Sequence, residues 1–285
     1  MPARYDLLPH EWAFNAFLLL VAMRLALHPG GLWLGGAFVL LMLVGAVLAA
    51  TRTLRWHWQL RLLWYPCAMG MSFYLLPLAI AVLQVPRADG LLAGYDASML
   101  GAQGAALMLP LTSPWLTDLM TLGYIFFFYY LITGPAHYFF SDLAHLRACF
   151  AGMFTTYALG FTGYLLWPAG GPHLAGSFAG PLPHGPLSSV VLPFIDTASN
   201  GVDVFPSIHA ALSLYLLLFD WRHFRARFWR LLVPTALLWV STVYLRYHYV
   251  VDLAGGLAVS LAGLAVSRRY ERSELARRID AQALA

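Results

Sequence analysis

Eight apolar runs dominate the chain, at about 12–28, 31–50, 61–84, 117–140, 147–167, 205–220, 230–246 and 249–267. Each is close to the ~20 residues that a helix needs to cross a hydrocarbon core. Only 11% of the 285 residues are charged, against about 25% in soluble domains, and no stretch is polar enough to form a separate soluble domain. The expected fold class is therefore an all-α integral membrane protein with about eight transmembrane helices. The first run is short and carries Arg24. It is followed by His28-Pro29-Gly30-Gly31 rather than by a small-residue cleavage site, so it reads as a span and not as a secretory leader.

Charge placement supports this count. The chain has no lysine, and all seventeen basic residues are arginine. An even number of spans puts Arg4, Arg52, Arg55, Arg61, Arg147, Arg222, Arg225, Arg227, Arg230, Arg268, Arg269, Arg272, Arg277 and Arg278 on one face. Only Arg24, Arg87 and Arg246 fall near the other. The positive-inside rule makes the rich face cytoplasmic, with both termini on it. Short loops and a tail are where a membrane protein keeps its arginines, so the net charge of +4 gives no reason to expect nucleic acid as a partner. Cys67 and Cys149 both lie in apolar runs and are expected as packing residues, neither a disulfide nor a metal pair.

Two loops on the non-cytoplasmic face are long. The first, about 85–116, is apolar for a loop and is expected to hold a helix lying in the interface. The second, about 168–204, is rich in Gly, Pro, Ser and His, whose breakers are expected to prevent a persistent helix. It is either a plain connector or a cap over a site.

Ionisable groups in spans are costly, by roughly 2.5–3.5 kcal/mol each on insertion scales, and three of them fall at one predicted face. His209 opens span six in Asp203-Val204-Phe205-Pro206-Ser207-Ile208-His209; His248 and Asp252 open span eight in Arg246-Tyr247-His248-Tyr249-Val250-Val251-Asp252. The i,i+4 spacing of His248 and Asp252 puts both on one helix side. A carboxylate there orients one ring nitrogen and leaves the other with its lone pair. Pro206 and Ser207 suit the first turn of a helix, whose N–H groups and dipole attract an anion such as phosphate. A nucleophilic histidine with its acid, a second histidine and an anion-binding helix end describe phosphoryl transfer without a metal or other cofactor. Asp203 is expected to cap span six rather than face the site. Asp96, His137 and His184 are weaker candidates, and His137 is placed near the cytoplasmic end of span four, away from the chemistry.

These motifs carry a resemblance. Pro206-Ser207-Ile208-His209 is similar to the PSxH motif, and His248 with Asp252 to the HxxxD end of the third motif, of the type 2 phosphatidic acid phosphatase superfamily. The resemblance implies that His248 attacks phosphorus, Asp252 supports it and His209 protonates the leaving group. It covers about 61–268 and divides the chain into two N-terminal spans (1–60), a six-helix catalytic domain (61–268) and a cytoplasmic tail (269–285). The family's first motif, KxxxxxxRP, is missing; Trp167-Pro168-Ala169-Gly170-Gly171-Pro172-His173 stands in its place. The third motif usually opens Ser-Arg, but Ser241 is followed here by Thr242. Without that cationic clamp a phosphodiester, with one charge, fits better than a phosphate monoester with up to two. Ser207, Arg246, His173 and Gly171 are the expected phosphate-binding residues, Gly170-Gly171 giving the backbone freedom to approach a phosphate.

The form His248-Tyr249-Val250-Val251-Asp252 resembles the branch with inositol phosphorylceramide and sphingomyelin synthases, which implies transfer of a phospho-headgroup between membrane lipids. A lipid phosphate phosphatase is the nearest alternative. A proton-coupled transporter or a membrane cytochrome is the alternative of another class; no paired half-repeat supports the first, and the surface position of the histidines speaks against the second. A zinc site from His209, His248 and Asp252 is chemically conceivable. The expected location is a bacterial inner membrane with the site on its outer face.

Overall fold

The computed structural model describes residues 7–51, 57–176, 178, 180–273 and 276–277. Arg4, Arg52, Arg55 and Arg278 of the charge partition lie outside the described residues. The chain is all-helical: eleven α-helices and one 3-10 turn, with no strand among the described residues. In order these are α1 (Pro9–Ala26), α2 (Leu32–Ala50), α3 (His57–Leu83), α4 (Asp89–Leu100), α5 (Gly104–Leu107), α6 (Pro114–Ser141), α7 (Leu143–Leu166), α8 (Ser188–Ala198), α9 (Ile208–His223), α10 (Arg225–Tyr244) and α11 (Val250–Glu271). Each of the eight apolar runs coincides with a helix. Five of them, α2, α3, α6, α7 and α11, are long and apolar enough to cross a membrane. α9 has only 16 residues, α10 carries Arg225, Arg227 and Arg230 in its first turns, and α1 carries Glu11 and Arg24.

Two compact units interleave along the chain. The first comprises Met1–Val85, Pro135–Leu165 and Ala262–Ala285; the second comprises Pro86–Gly134 and Leu166–Leu261.

In the first unit, α7 is enclosed over nearly its whole length. Rings from α1 and α3 pack against it: Phe17 lies 5.8 Å from Phe161, and Tyr65 5.8 Å from Phe154. Such pairs add about 0.5–1.5 kcal/mol each beyond their buried area. Glu11 is the polar centre of this unit. One carboxylate oxygen accepts from the Leu8 amide at 2.7 Å, capping α1, and the other accepts from Arg61 Nε at 2.6 Å. Both side chains are enclosed, so Arg61, expected as an orienting loop charge, is a buried structural partner instead. The end of α11 lies close against α7, where a Cβ at Gly263 would overlap Thr156, and Ser267 Oγ donates to the Ala148 carbonyl at 2.9 Å. Cys67 is exposed and Cys149 buried, both free.

In the second unit, α9 and α10 form a pair joined at Phe224. Asp220 accepts from Tyr130 at 2.8 Å and pairs with Arg227 at 3.2 Å, so Arg227 too is buried rather than a free orienting charge. The apolar loop after α3 contains α4, with Leu92 and Asp96 buried and Leu91, Tyr95 and Met99 exposed. The loop at 168–204 departs from expectation: α8 forms within it despite Pro193. Asp118 supplies the reason, accepting from the Ser188 amide at 2.8 Å and the Leu187 amide at 3.3 Å, while Leu192 and Ile195 are buried beneath. A cap borrowed from α6 overrides the local breakers.

Candidate active site

Everything that positions the two histidines belongs to the second unit. α10 ends in a left-handed residue, Arg246 at φ 66°. The Tyr247 amide bonds back to the Thr242 carbonyl at 3.0 Å and the Arg246 amide to the Val243 carbonyl at 3.0 Å, the paired closure of a Schellman turn. That turn normally wants glycine; an arginine there costs roughly 1 kcal/mol or more. It reverses the chain within five residues, and the His248 amide also bonds to Thr242 at 3.0 Å before α11 begins at Val250. His248 is thus held by backbone on the outgoing side of a tight corner.

His209 is the second residue of α9, whose N-cap is Ser207; the Ser207 hydroxyl accepts from the Ala210 amide at 3.3 Å. Capping by Asp203 does not occur. Asp203 instead accepts from Ser199 Oγ at 3.1 Å and bridges to Ala169, because the chain turns between Val204 and Ser207 and carries it away from the helix end. α9 and α11 are tied directly: the Ser207 amide donates to the Asp252 carbonyl at 3.0 Å. Gly255 and Gly256 permit that approach, since a Cβ on either would crowd Phe205, Pro206 or the Ser207 carbonyl.

The result is a compact group. His248 Nε2 lies 3.1 Å from His209 Nδ1 and 3.2 Å from Ser207 Oγ. Its other nitrogen, Nδ1, lies 3.4 Å from Asp252 Oδ2, which also accepts from the Tyr249 amide at 2.8 Å. The His209 ring is sandwiched by Phe127 and Tyr124, with centroids at 4.4 and 4.8 Å. His248 is 2% exposed and Asp252 fully buried. Burial pushes the His248 imidazole down to about 4, offset in part by the Asp203 charge and the Val204 carbonyl. Burial likewise holds the Asp203 carboxyl above its ordinary range. A neutral imidazole with one nitrogen turned to an acid and the other to a second imidazole is equipped for nucleophilic attack with proton transfer.

A family model described as the PAP2 superfamily matches residues 90–266, well over half of the chain. The chain belongs to the PAP2 superfamily. Membership places it among membrane lipid phosphatases and phosphotransferases. No curated protein and no solved structure matches it. The matched stretch begins inside α4, so α3, which the resemblance counted in the catalytic domain, lies outside it.

As a PAP2-superfamily chain it has an unusual surround. Thr242 stands where the third motif's arginine is usual, and its hydroxyl bonds back to the Trp239 carbonyl at 2.8 Å. Arg246 does not extend toward the histidine pair. Its guanidinium donates to the Gly180 carbonyl at 2.7 Å and lies 4.2 Å from the Phe178 ring centre. Gly171 sits at φ 85°, where a Cβ would overlap the Tyr247 carbonyl, and its amide donates to Asp89 at 3.0 Å. His173 donates its backbone amide to the Arg246 carbonyl at 3.0 Å and sets its ring edge-on to Tyr247 at 4.8 Å. Its imidazole is also lowered by burial.

Of the expected phosphate-binding residues, then, Ser207 touches the histidine pair, while His173 and Arg246 line a separate cavity of about 410 Å³. Tyr247, Phe178, His184 and Asp196 share that lining, and Tyr247 donates to Asp196 at 2.7 Å. Tyr247 also lies 5.0 Å from Tyr124, tilted against it, and Tyr124 flanks His209, so aromatic contacts run from the cavity lining to the histidine pair. His137 belongs to the first unit.

Asp89 and Asp118 escaped the sequence reading, and Asp96, a weaker candidate in it, takes a capping role that it does not assign. Asp89 holds the amides of Gly170 and Gly171, Asp96 those at the start of α11, and Asp118 those of α8. Only Asp89, the first residue of α4 in Ala88-Asp89-Gly90, carries a local signal.

Proposed function

We propose that the chain is a membrane lipid phosphotransferase that moves a phospho-headgroup from one lipid to another through a phosphohistidine at His248. The observation that carries the reading is the pairing of His248 Nε2 with His209 Nδ1 at 3.1 Å while Nδ1 of His248 faces Asp252. A phosphodiester entering between the rings meets both groups it needs. His248 Nε2 attacks phosphorus, the P–N bond forms as the P–O bond to the lipid alcohol breaks, and the His209 proton passes to the departing oxygen. An acceptor hydroxyl then gives its proton to His209 and attacks phosphorus, re-forming a P–O bond and releasing His248.

Two features favour a diester over a monoester. The Asp252 carboxyl faces His248 Nδ1, and Thr242 supplies no counter-charge. A site without that counter-charge disfavours a dianion more than a monoanion. The cavity beyond Tyr247 has the size and mixed polarity for a headgroup. The likeness of His248-Tyr249-Val250-Val251-Asp252 to the sphingolipid-forming branch points the same way. With the arginine-rich loops cytoplasmic, the site opens to the outer face of a bacterial inner membrane, and no metal takes part.

The test uses lipid carrying a labelled headgroup and the purified protein in mixed micelles, with a chelator present. Label in a second lipid supports transfer, and release of inorganic phosphate from a monoester alone supports a phosphatase. Replacing the lipid alcohol by p-nitrophenol, which leaves without a proton, should restore turnover to His209→Ala but not to His248→Ala. Equal rescue of both would refute the assignment of roles.

A further inference from the structure

α11 begins with the residues that matter most, yet it lacks a cap of its own. Its N-cap position is Tyr249, whose phenol reaches to Asp89 at 3.4 Å and offers nothing to the helix. Asp252, at the third helical position, returns to the Tyr249 amide at 2.8 Å, half of a capping box. The amides of Val250 and Val251 would be left as buried orphans. They are not, because Asp96 of α4 accepts from Val250 at 3.0 Å and from Val251 at 2.9 Å, and also from Gly104 at 3.2 Å. The Asp96 carboxylate is 1% exposed and 154 residues away in sequence from the helix it serves. Asp89, seven residues earlier on the same side of α4, takes the Gly170 and Gly171 amides.

We propose that Asp96 is a positioning residue for the reaction: it caps α11 in trans and thereby fixes the Asp252 carboxylate against His248. Asp252 Oδ2 has two neighbours, the Tyr249 amide and His248 Nδ1, and its Oδ1 has none. The side chain is therefore oriented only by the first turn of α11. When the Val250 and Val251 amides lose their acceptor, that turn frays, the Tyr249–Asp252 bond opens, and Asp252 leaves Nδ1. α4 is then a strut with two carboxylates, one holding the loop at Gly170-Gly171 and one holding the nucleophile's partner.

The kinetic consequence rests on His248 being the nucleophile, so the test has an arm that does not. Hydrogen exchange on the full chain in detergent reads the amides of 250–252, and headgroup transfer reads turnover, for Asp96→Asn, Asp96→Ala and His248→Ala. Asp96→Ala should speed exchange at 250–252 with little change in α9 or α10. It should lower kcat by about 100-fold, the effect of a small misplacement at a reacting centre, with KM held within about threefold. Asp96→Asn, nearly isosteric and with one acceptor oxygen left, should fall between it and wild type in both measurements. Exchange at 250–252 unchanged in both variants overturns the proposal. So does a kcat within threefold of wild type while His248→Ala is inactive, and so does a general rise in exchange for Asp96→Ala beside a silent Asp96→Asn. A fully active His248→Ala refutes the catalytic reading instead, and the exchange data still decide whether Asp96 caps α11.

Discussion

Gly171→Ala separates two ways in which a glycine matters. The residue sits at φ 85°, a conformation that costs an L side chain roughly 1–2 kcal/mol. Gly101, at φ 79° after α4, carries the same backbone burden but has open space where a Cβ would go. Gly171 has the Tyr247 carbonyl there. A methyl group at 171 must therefore push the loop and the Arg246–His248 corner apart, by a displacement on the order of 1 Å. The corner is rigid, being held by the Thr242 and Val243 carbonyls, so the movement passes to His248 and to its 3.1 Å contact with His209. A shift of that size at a reacting centre costs on the order of 100-fold in rate. Gly101→Ala should lose only the backbone term, a stability change of about 1–2 kcal/mol, with kcat near wild type. The assay is headgroup transfer at saturating lipid for both variants, with thermal unfolding in detergent as the stability control. If the two variants keep kcat within twofold of each other, the close approach at Gly171 has no bearing on the site and the reasoning is wrong.

Three further outcomes follow from the geometry. Asp252→Asn removes the charge beside His248 Nδ1 but leaves an acceptor for the Tyr249 amide; kcat should fall by on the order of 10²–10⁴-fold, the range for a positioned acid–base partner, while the melting temperature moves little, and near-normal turnover would contradict the role given to it. Burial holds His248 near 4 against an unfolded value near 6.5, so it is neutral in the folded chain above that pH. The stability this histidine contributes is full above about 6.5 and is lost as pH falls toward 4, and the acid limb of kcat/KM assigned to it should lie near 4; a His248 ring that titrates near 6.5 in the NMR spectrum of the folded protein would refute this. Glu11→Ala strands Arg61 in the first unit and should cost about 3–5 kcal/mol, measured as a lower unfolding midpoint, with headgroup transfer by the folded fraction retained.

What was legible in the sequence was what local rules govern. Run length against membrane thickness gave helices at all eight places, although only five meet the demands of a span on length and composition. The i,i+4 pair His248–Asp252 and the Pro-Ser start before His209 are properties of single helices, and both stand where the spacing put them. Helix depth alone brings His209 and His248 to one face, and the backbone bond from Ser207 to Asp252 is what makes that a contact. The arginines show the limit of composition. Arg61 and Arg227 look like loop charges in a linear reading, yet each is buried against an acid on another helix, Glu11 of α1 for the first and Asp220 of α9 for the second.

The sequence by itself therefore determined the helices, their apolar character and the identity of the chemical groups, because those depend on residues within a few turns of one another. Tertiary structure decided where the acids act. Asp96 caps α11, Asp118 starts α8 in a loop full of breakers, Asp89 holds Gly170-Gly171, and Asp203 accepts from Ser199 instead of capping α9. A buried carboxylate goes wherever unpaired amides are, and those amides belong to segments that only the folded chain brings near.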